Sequence, residues 1–139
     1  MNATIIALLG YITWTLLLLV ALAIYRTDLV MKRKKAPNAF KADGSDSPPF
    51  GQRLTRAQAN CVESFAFIGG LLLFSLATNS TMVTNDFAYV LLLARFGQSI
   101  SHLVSTSVLA VQIRFVFFLI QVAICLYWVG MFGLKFIGL

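Results

Sequence analysis

The chain of 139 residues is 59% hydrophobic and only 12% charged, with a mean hydropathy of +0.84. That charged share is about half that of an ordinary soluble domain, which leaves no room for a separate soluble module. The net charge of +6 is concentrated in one connection, so it reads as a topology signal with some attraction to anionic headgroups, and not as a nucleic-acid footprint.

A bilayer core about 30 Å thick needs about 20 apolar residues per helix. Four stretches qualify: Ile5 to Tyr25, Ala57 to Leu76, Phe87 to Leu109 and Phe115 to Ile137. The runs are continuous and not alternating, which speaks against a membrane β-barrel. The expected fold is all-α: an integral membrane four-helix bundle of antiparallel up-down topology, one domain over 1–139 with a long connection at 26–56.

In the first segment, Ala21-Leu22-Ala23 mimics a signal-peptide cleavage site. No Lys or Arg precedes the apolar run and its length is that of a span, so it is expected to remain. The connection that follows holds Arg26, Lys32, Arg33, Lys34, Lys35, Lys41, Arg53 and Arg56 against Asp28, Asp43 and Asp46. The turn near Asn79 to Asp86 holds no Lys or Arg. The positive-inside rule then puts the connection and the turn before Arg114 in the cytoplasm and both termini outside. The first helix can extend through Asp28 to Lys35, whereas Gly44-Ser45-Asp46-Ser47-Pro48-Pro49-Phe50-Gly51 reads as turn and coil. Thr55 is a candidate cap for the second helix, unless that helix starts before Arg53.

The second segment carries Arg56, Asn60 and Glu63, whose spacings of four and three put them on one helix face. A carboxylate at membrane depth needs a partner or water, which makes it a candidate functional residue. The alternative is that Arg56 and Asn60 lie among headgroups and Glu63 makes a structural helix–helix pair. Asn79-Ser80-Thr81 is a formal glycosylation sequon too near the membrane to carry weight.

The third segment carries a second row, Arg95, Gln98, Ser99 and His102, also on one face. Arg95 has apolar neighbours in sequence, and its obvious partner is Glu63. An Arg–Glu pair locking two helices explains both residues without any chemistry. His102 is a candidate proton carrier or only a polar residue near a helix end, and it lacks the further ligands a metal needs. Cys61 and Cys125 fall inside predicted helices with no metal-ligand spacing and read as packing residues.

Arg114 is expected to open the fourth segment. Gln121 in that apolar helix is expected to hydrogen-bond a neighbouring helix, worth about 1 kcal/mol in a membrane. Phe115 to Phe118 reads as packing or lipid-facing bulk that could line a groove for a lipophilic substrate.

The run Arg56-Ala57-Gln58-Ala59-Asn60-Cys61-Val62-Glu63 resembles the second-helix motif Arg-Ala-x-x-Asn-x-x-Glu of the membrane-associated proteins in eicosanoid and glutathione metabolism. The basic stretch Arg33-Lys34-Lys35-Ala36, Arg95, Arg114, the length and the helix count add to the resemblance. It implies a homotrimer in a bacterial inner membrane or the endoplasmic reticulum, with membrane lipids and a lipophilic substrate as further partners. Glutathione would be co-substrate, held between subunits near the cytoplasmic face by the polar faces of the second and third helices. Carried over by position, Arg56, Asn60 and Glu63 bind the peptide's carboxylates and amine, with Arg95 and His102 on the third helix alongside. Arg114 matches the arginine placed near the glutathione sulfur.

The chain departs from the pattern in three places. Gln98 or Ser99, and His102, stand where family enzymes carry tyrosines. Phe115 stands where a small polar residue is common. The stretch from Arg95 to Arg114 is long. The resemblance thus implies a glutathione transferase or peroxidase, with a non-catalytic lipid-binding scaffold as the alternative. A structural or transport role is a third class, and a pore would need a wider polar lining.

Overall fold

The computed structural model describes residues 2–32, 35–39, 41–42, 44–45 and 47–138; Arg33 and Lys34 of the basic stretch lie outside the described residues. Four helices follow in order: α1 (Ala3–Met31), α2 (Pro49–Ala77), α3 (Thr81–Val104) and α4 (Val108–Phe136). Each is long and apolar enough to cross a bilayer. Their exposed surface is rich in Leu, Ile, Val and Phe, as lipid contact requires, because a helix satisfies its own backbone polar groups inside the hydrocarbon.

The helices run further than hydropathy alone indicates. Asn2 caps α1 by accepting from Thr4 N at 2.9 Å, and the far end gains a last turn with Lys32 Nζ 3.1 Å from Asp28. That pair is exposed and contributes little. At α2, Pro48 is the N-cap and Pro49 opens the helix, a position where proline costs nothing because its missing N–H would be unbonded anyway. Thr55 is therefore not a cap: it sits inside α2 and donates to Gly51 O at 2.8 Å. At α4, Ser107 caps by accepting from Ala110 N at 3.2 Å.

The turn between α2 and α3 is a Schellman closure. Asn79 takes the left-handed conformation at φ 55°. Ser80 N reaches Ser75 O at 2.8 Å and Asn79 N reaches Leu76 O at 3.3 Å. Asparagine is one of the few side chains that tolerates this backbone.

Short turns make α2, α3 and α4 antiparallel neighbours. α1 packs against α2 and α3; α4 packs mainly on α3, touches α2 lightly, and does not meet α1. The arrangement is a three-helix core with α4 laid along its α3 side. α1 buries Ala7, Tyr11, Leu18, Leu22 and Leu29, alternating steps of four and seven that make one stripe. Gly10 receives Leu92 and Gly97 receives the Phe117 ring, since a Cβ there would lie 2.9 Å and 2.6 Å from them; small residues let membrane helices approach closely. At the end away from the connection, Ser75, Thr84, Thr4 and Asn85 form a hydroxyl and amide network that ties α2, α3 and α1. There Lys135 Nζ donates to Ser80 Oγ at 3.0 Å.

Candidate functional site

The polar groups that sequence singles out lie in the half of the bundle nearest the basic connection. Arg95, on α3, is fully buried. Its Nε donates to Gln121 Oε1 on α4 at 2.9 Å, and its Nη1 donates to Asn60 Oδ1 on α2. Its guanidinium lies 5.4 Å from the Tyr11 ring centroid on α1. One side chain thus touches all three other helices. The expected pairing with Glu63 does not form within the chain: among the described residues the ion pair found is Lys32 with Asp28, and Glu63 is exposed. The reason is angular. At about 100° per residue, Asn60 and Glu63 point about 60° apart around α2, while Arg56 and Glu63 differ by only about 20°. Asn60 turns inward to α3, and the two charged residues turn outward together.

The buried guanidinium is served by neutral oxygens and a π face. A carboxylate there would bring its own large desolvation penalty, whereas the aromatic face attracts the cation without one. Arg95 Nη2 keeps no hydrogen-bond partner among the described residues. Gln121 in turn donates to Gln98 Oε1 at 2.7 Å, so Gln98 and Arg95 of one α3 face are joined through α4. Tyr11 donates to Cys61 O at 2.6 Å. Both cysteines are buried free thiols.

Arg56 and Glu63 share a cleft of about 460 Å³, with Gln52, Thr55 and Ala59 of α2 and with Ala42 and Ser45 of the connection. Two features pin the connection over it. Gln52 Nε2 donates to Ser47 O at 2.8 Å. Gly44 has φ 73° and its Cβ position lies 2.7 Å from Thr55 Oγ1, so neither the backbone nor the space admits another side chain.

His102 lies in the last turn of α3. Its Nδ1 is 2.8 Å from Arg114 Nη1. Arg114 is not the opening residue of α4 but its seventh, since the helix starts at the Ser105-Thr106-Ser107 turn. Arg56 and Arg95 also lie within electrostatic reach of His102. A guanidinium has only donors, so the imidazole accepts at Nδ1 and is neutral, its proton on Nε2.

Sequence reasoning missed Arg53. Its Nε donates to Leu103 O at 2.9 Å. The last carbonyls of a helix have no partner within it and carry the negative end of its dipole, so Arg53 closes α3 next to His102. In the sequence it looks like one more loop charge, and only the early start of α2 at Pro49, legible in Pro48-Pro49, hints otherwise.

The candidate residues thus gather as three pairs: Arg56 with Glu63 in the cleft, Asn60 with Arg95, and His102 with Arg114. Four apolar spanning helices around such a polar interior define an integral multi-pass membrane protein. The sequence matches the family model of the MAPEG family over residues 4–134. The chain belongs to that family, whose members include glutathione transferases. No curated protein and no solved structure matched it.

Proposed function

We propose that the chain is a membrane-bound glutathione transferase or peroxidase that acts on lipophilic electrophiles or lipid hydroperoxides, with glutathione as co-substrate. The observation that carries this reading is the charge pattern at the basic end. Arg114 lies 2.8 Å from His102, and Arg56 shares its cleft with the carboxylate of Glu63. Glutathione is the complement: two carboxylates for arginine forks and one ammonium for an acid.

In this reading Arg56, Asn60 and Glu63 hold the peptide, and Arg114 stabilises the thiolate. A guanidinium beside a thiol lowers its pKa from about 8.5 and so raises the nucleophilic fraction. In conjugation the sulfur lone pair forms the S–C bond as the leaving group departs with its electrons, and the thiol proton goes to solvent. A homotrimer would complete the site, because Arg56 and Glu63 are exposed on α2, turned away from α3.

Calorimetry with glutathione on purified protein tests the reading, together with conjugation to an aromatic halide and reduction of a lipid hydroperoxide. Binding and turnover are expected; no binding at millimolar glutathione sinks it. One observation favours a second reading as a non-catalytic lipid-binding scaffold: an apolar concavity of about 360 Å³ lined by Ile12, Thr15 and Leu16 of α1 and Val62 and Phe65 of α2. Lipid retention without glutathione binding would favour it.

A further inference from the structure

We propose that Arg95 is a positioning residue that holds the Asn60 amide with its NH₂ group outward, so that the site takes a hydrogen-bond acceptor of the ligand at Asn60. The ligand half of this proposal rests on the glutathione reading and deepens it; the orientation half does not depend on any ligand.

The orientation follows from donor and acceptor chemistry. An amide side chain can be placed in two ways that differ by exchange of O and N, and its partners decide between them. Arg95 has no acceptor. With Nη1 in hydrogen-bond contact with the Asn60 amide, only Oδ1 can face it, because the exchanged form sets donor against donor. Arg95 cannot turn away. It is fully buried, and its Nε is held by Gln121 Oε1 at 2.9 Å. Gln121 cannot exchange its own ends either: its Nε2 is committed to Gln98 Oε1 at 2.7 Å and Phe117 O at 3.0 Å. The polarity runs one way, from α4 through Arg95 to Asn60.

Asn60 is only half-buried, and its Nδ2 makes no hydrogen bond among the described residues. It therefore turns two donors away from Arg95, while Oδ1 faces the guanidinium. Such a group favours a carboxylate or carbonyl oxygen over an ammonium, which the neighbouring guanidinium also repels. Arg95, sealed from the surface, never touches the ligand. The chain is also mechanical: Gln121 lies seven residues, two turns, beyond Arg114 on the same face of α4, so the residue proposed to act at sulfur shares a helix with the one that holds Arg95.

The test uses the full-length protein in detergent. Asn60→Asp keeps an acceptor for Arg95 and removes both donors, so thermal stability holds while glutathione affinity falls about 10- to 100-fold, the range for a hydrogen bond to a charged group. Unchanged or tighter binding by N60D overturns the ligand half, because an ammonium would welcome the new carboxylate. The orientation half is read without ligand. The Asn60 side-chain amide, assigned by its loss in N60D, should give two proton resonances displaced unequally from free-amide positions, so that their separation differs from that of a free amide. Arg95→Met should return them toward free-amide positions, and Arg95→Lys, which still donates, should restore part of the wild-type separation. Identical amide signals in wild type and R95M overturn the positioning role. Should R95M fail to fold, amide signals of R95K with no trace of wild-type separation overturn it equally. Absence of glutathione binding by the wild type removes the ligand half with the reading above, and the amide spectra still decide the orientation half.

Discussion

Arg114 Nη1 and His102 Nδ1 lie 2.8 Å apart across the α3–α4 hairpin. The contact aims a guanidinium that would otherwise swing freely on a long side chain, and it needs a neutral imidazole, since a protonated one has no acceptor to offer. His102 in this view does not carry protons; it holds an arginine. Asparagine can accept in its place and phenylalanine cannot. Turnover in the glutathione conjugation assay is therefore expected to fall about tenfold in His102→Phe, the loss of one modest orienting interaction, and less in His102→Asn. Equal activity in all three proteins would show that the contact has no catalytic role.

Arg114 and the α2 pair should separate kinetically. Arg114 is assigned to charge that develops on sulfur, so Arg114→Ala should lower kcat with a smaller effect on glutathione affinity. Arg56→Ala and Glu63→Ala should raise the glutathione Kd and leave kcat at saturation closer to wild type. Glu63 and Arg56 are exposed, so these two variants should fold normally. The reverse pattern, affinity lost with Arg114 and rate lost with Arg56, contradicts the assignment.

Hydropathy makes four spans legible because the bilayer sets the length of an apolar run, and the all-α membrane fold follows from that alone. The ends were less legible. Counting charges makes 26–56 a loop, yet α1 reaches Met31 and α2 begins at Pro49, since charge does not break a helix. The signals for the ends were local: Pro48-Pro49 before α2 and Ser105-Thr106-Ser107 before α4. Within the site, the spacing of Arg56, Asn60 and Glu63 gave a shared face, but a turn of about 60° between Asn60 and Glu63 decided which of them met Arg95. That angle matters only once α3 is packed beside α2. The His102–Arg114 contact likewise depends on where the hairpin turns: α4 opens at Val108, six residues before Arg114.

Gln121 is the most consequential neutral residue of the buried network. Gln121→Leu keeps the volume and removes one acceptor from Arg95 and one donor from Gln98. Leaving buried polar groups unpaired costs about 1–3 kcal/mol each, so a clear loss of thermal stability in detergent is expected. Glu63→Gln, on the exposed face, should leave the melting temperature unchanged. A neutral Gln121→Leu would mean that water replaces the amide without penalty.

The α2–α3 turn offers a purely conformational test. Asn79 sits at φ 55°, where a β-branched side chain meets its own carbonyl. Asn79→Val is expected to cost about 1–2 kcal/mol, whereas Asn79→Gly should be neutral or nearly so, because glycine adopts this backbone freely. Thermal denaturation of the two variants beside wild type reads the difference, and equal melting of Val and Gly variants would refute the strained-turn account.

Assembly is the remaining expectation. Arg95 has its partners inside the chain and no surface through which a second subunit could reach it. Arg56 and Glu63 are different: both are exposed on α2 and line an open cleft. Charges at membrane depth persist where they face a bundle interior, a partner or a water-filled cavity. A homotrimer supplies such an interior by turning the α2 cleft of one subunit toward its neighbour. Native mass measurement of protein extracted into mild detergent should therefore give three chains per particle. Replacing Arg56 and Glu63 together with Met and Leu, which fill similar volume without charge, should change the strength of assembly while each chain stays helical. A particle containing one chain under all extraction conditions, with glutathione binding intact, would place the whole site within a single subunit and require another explanation for the two outward charges.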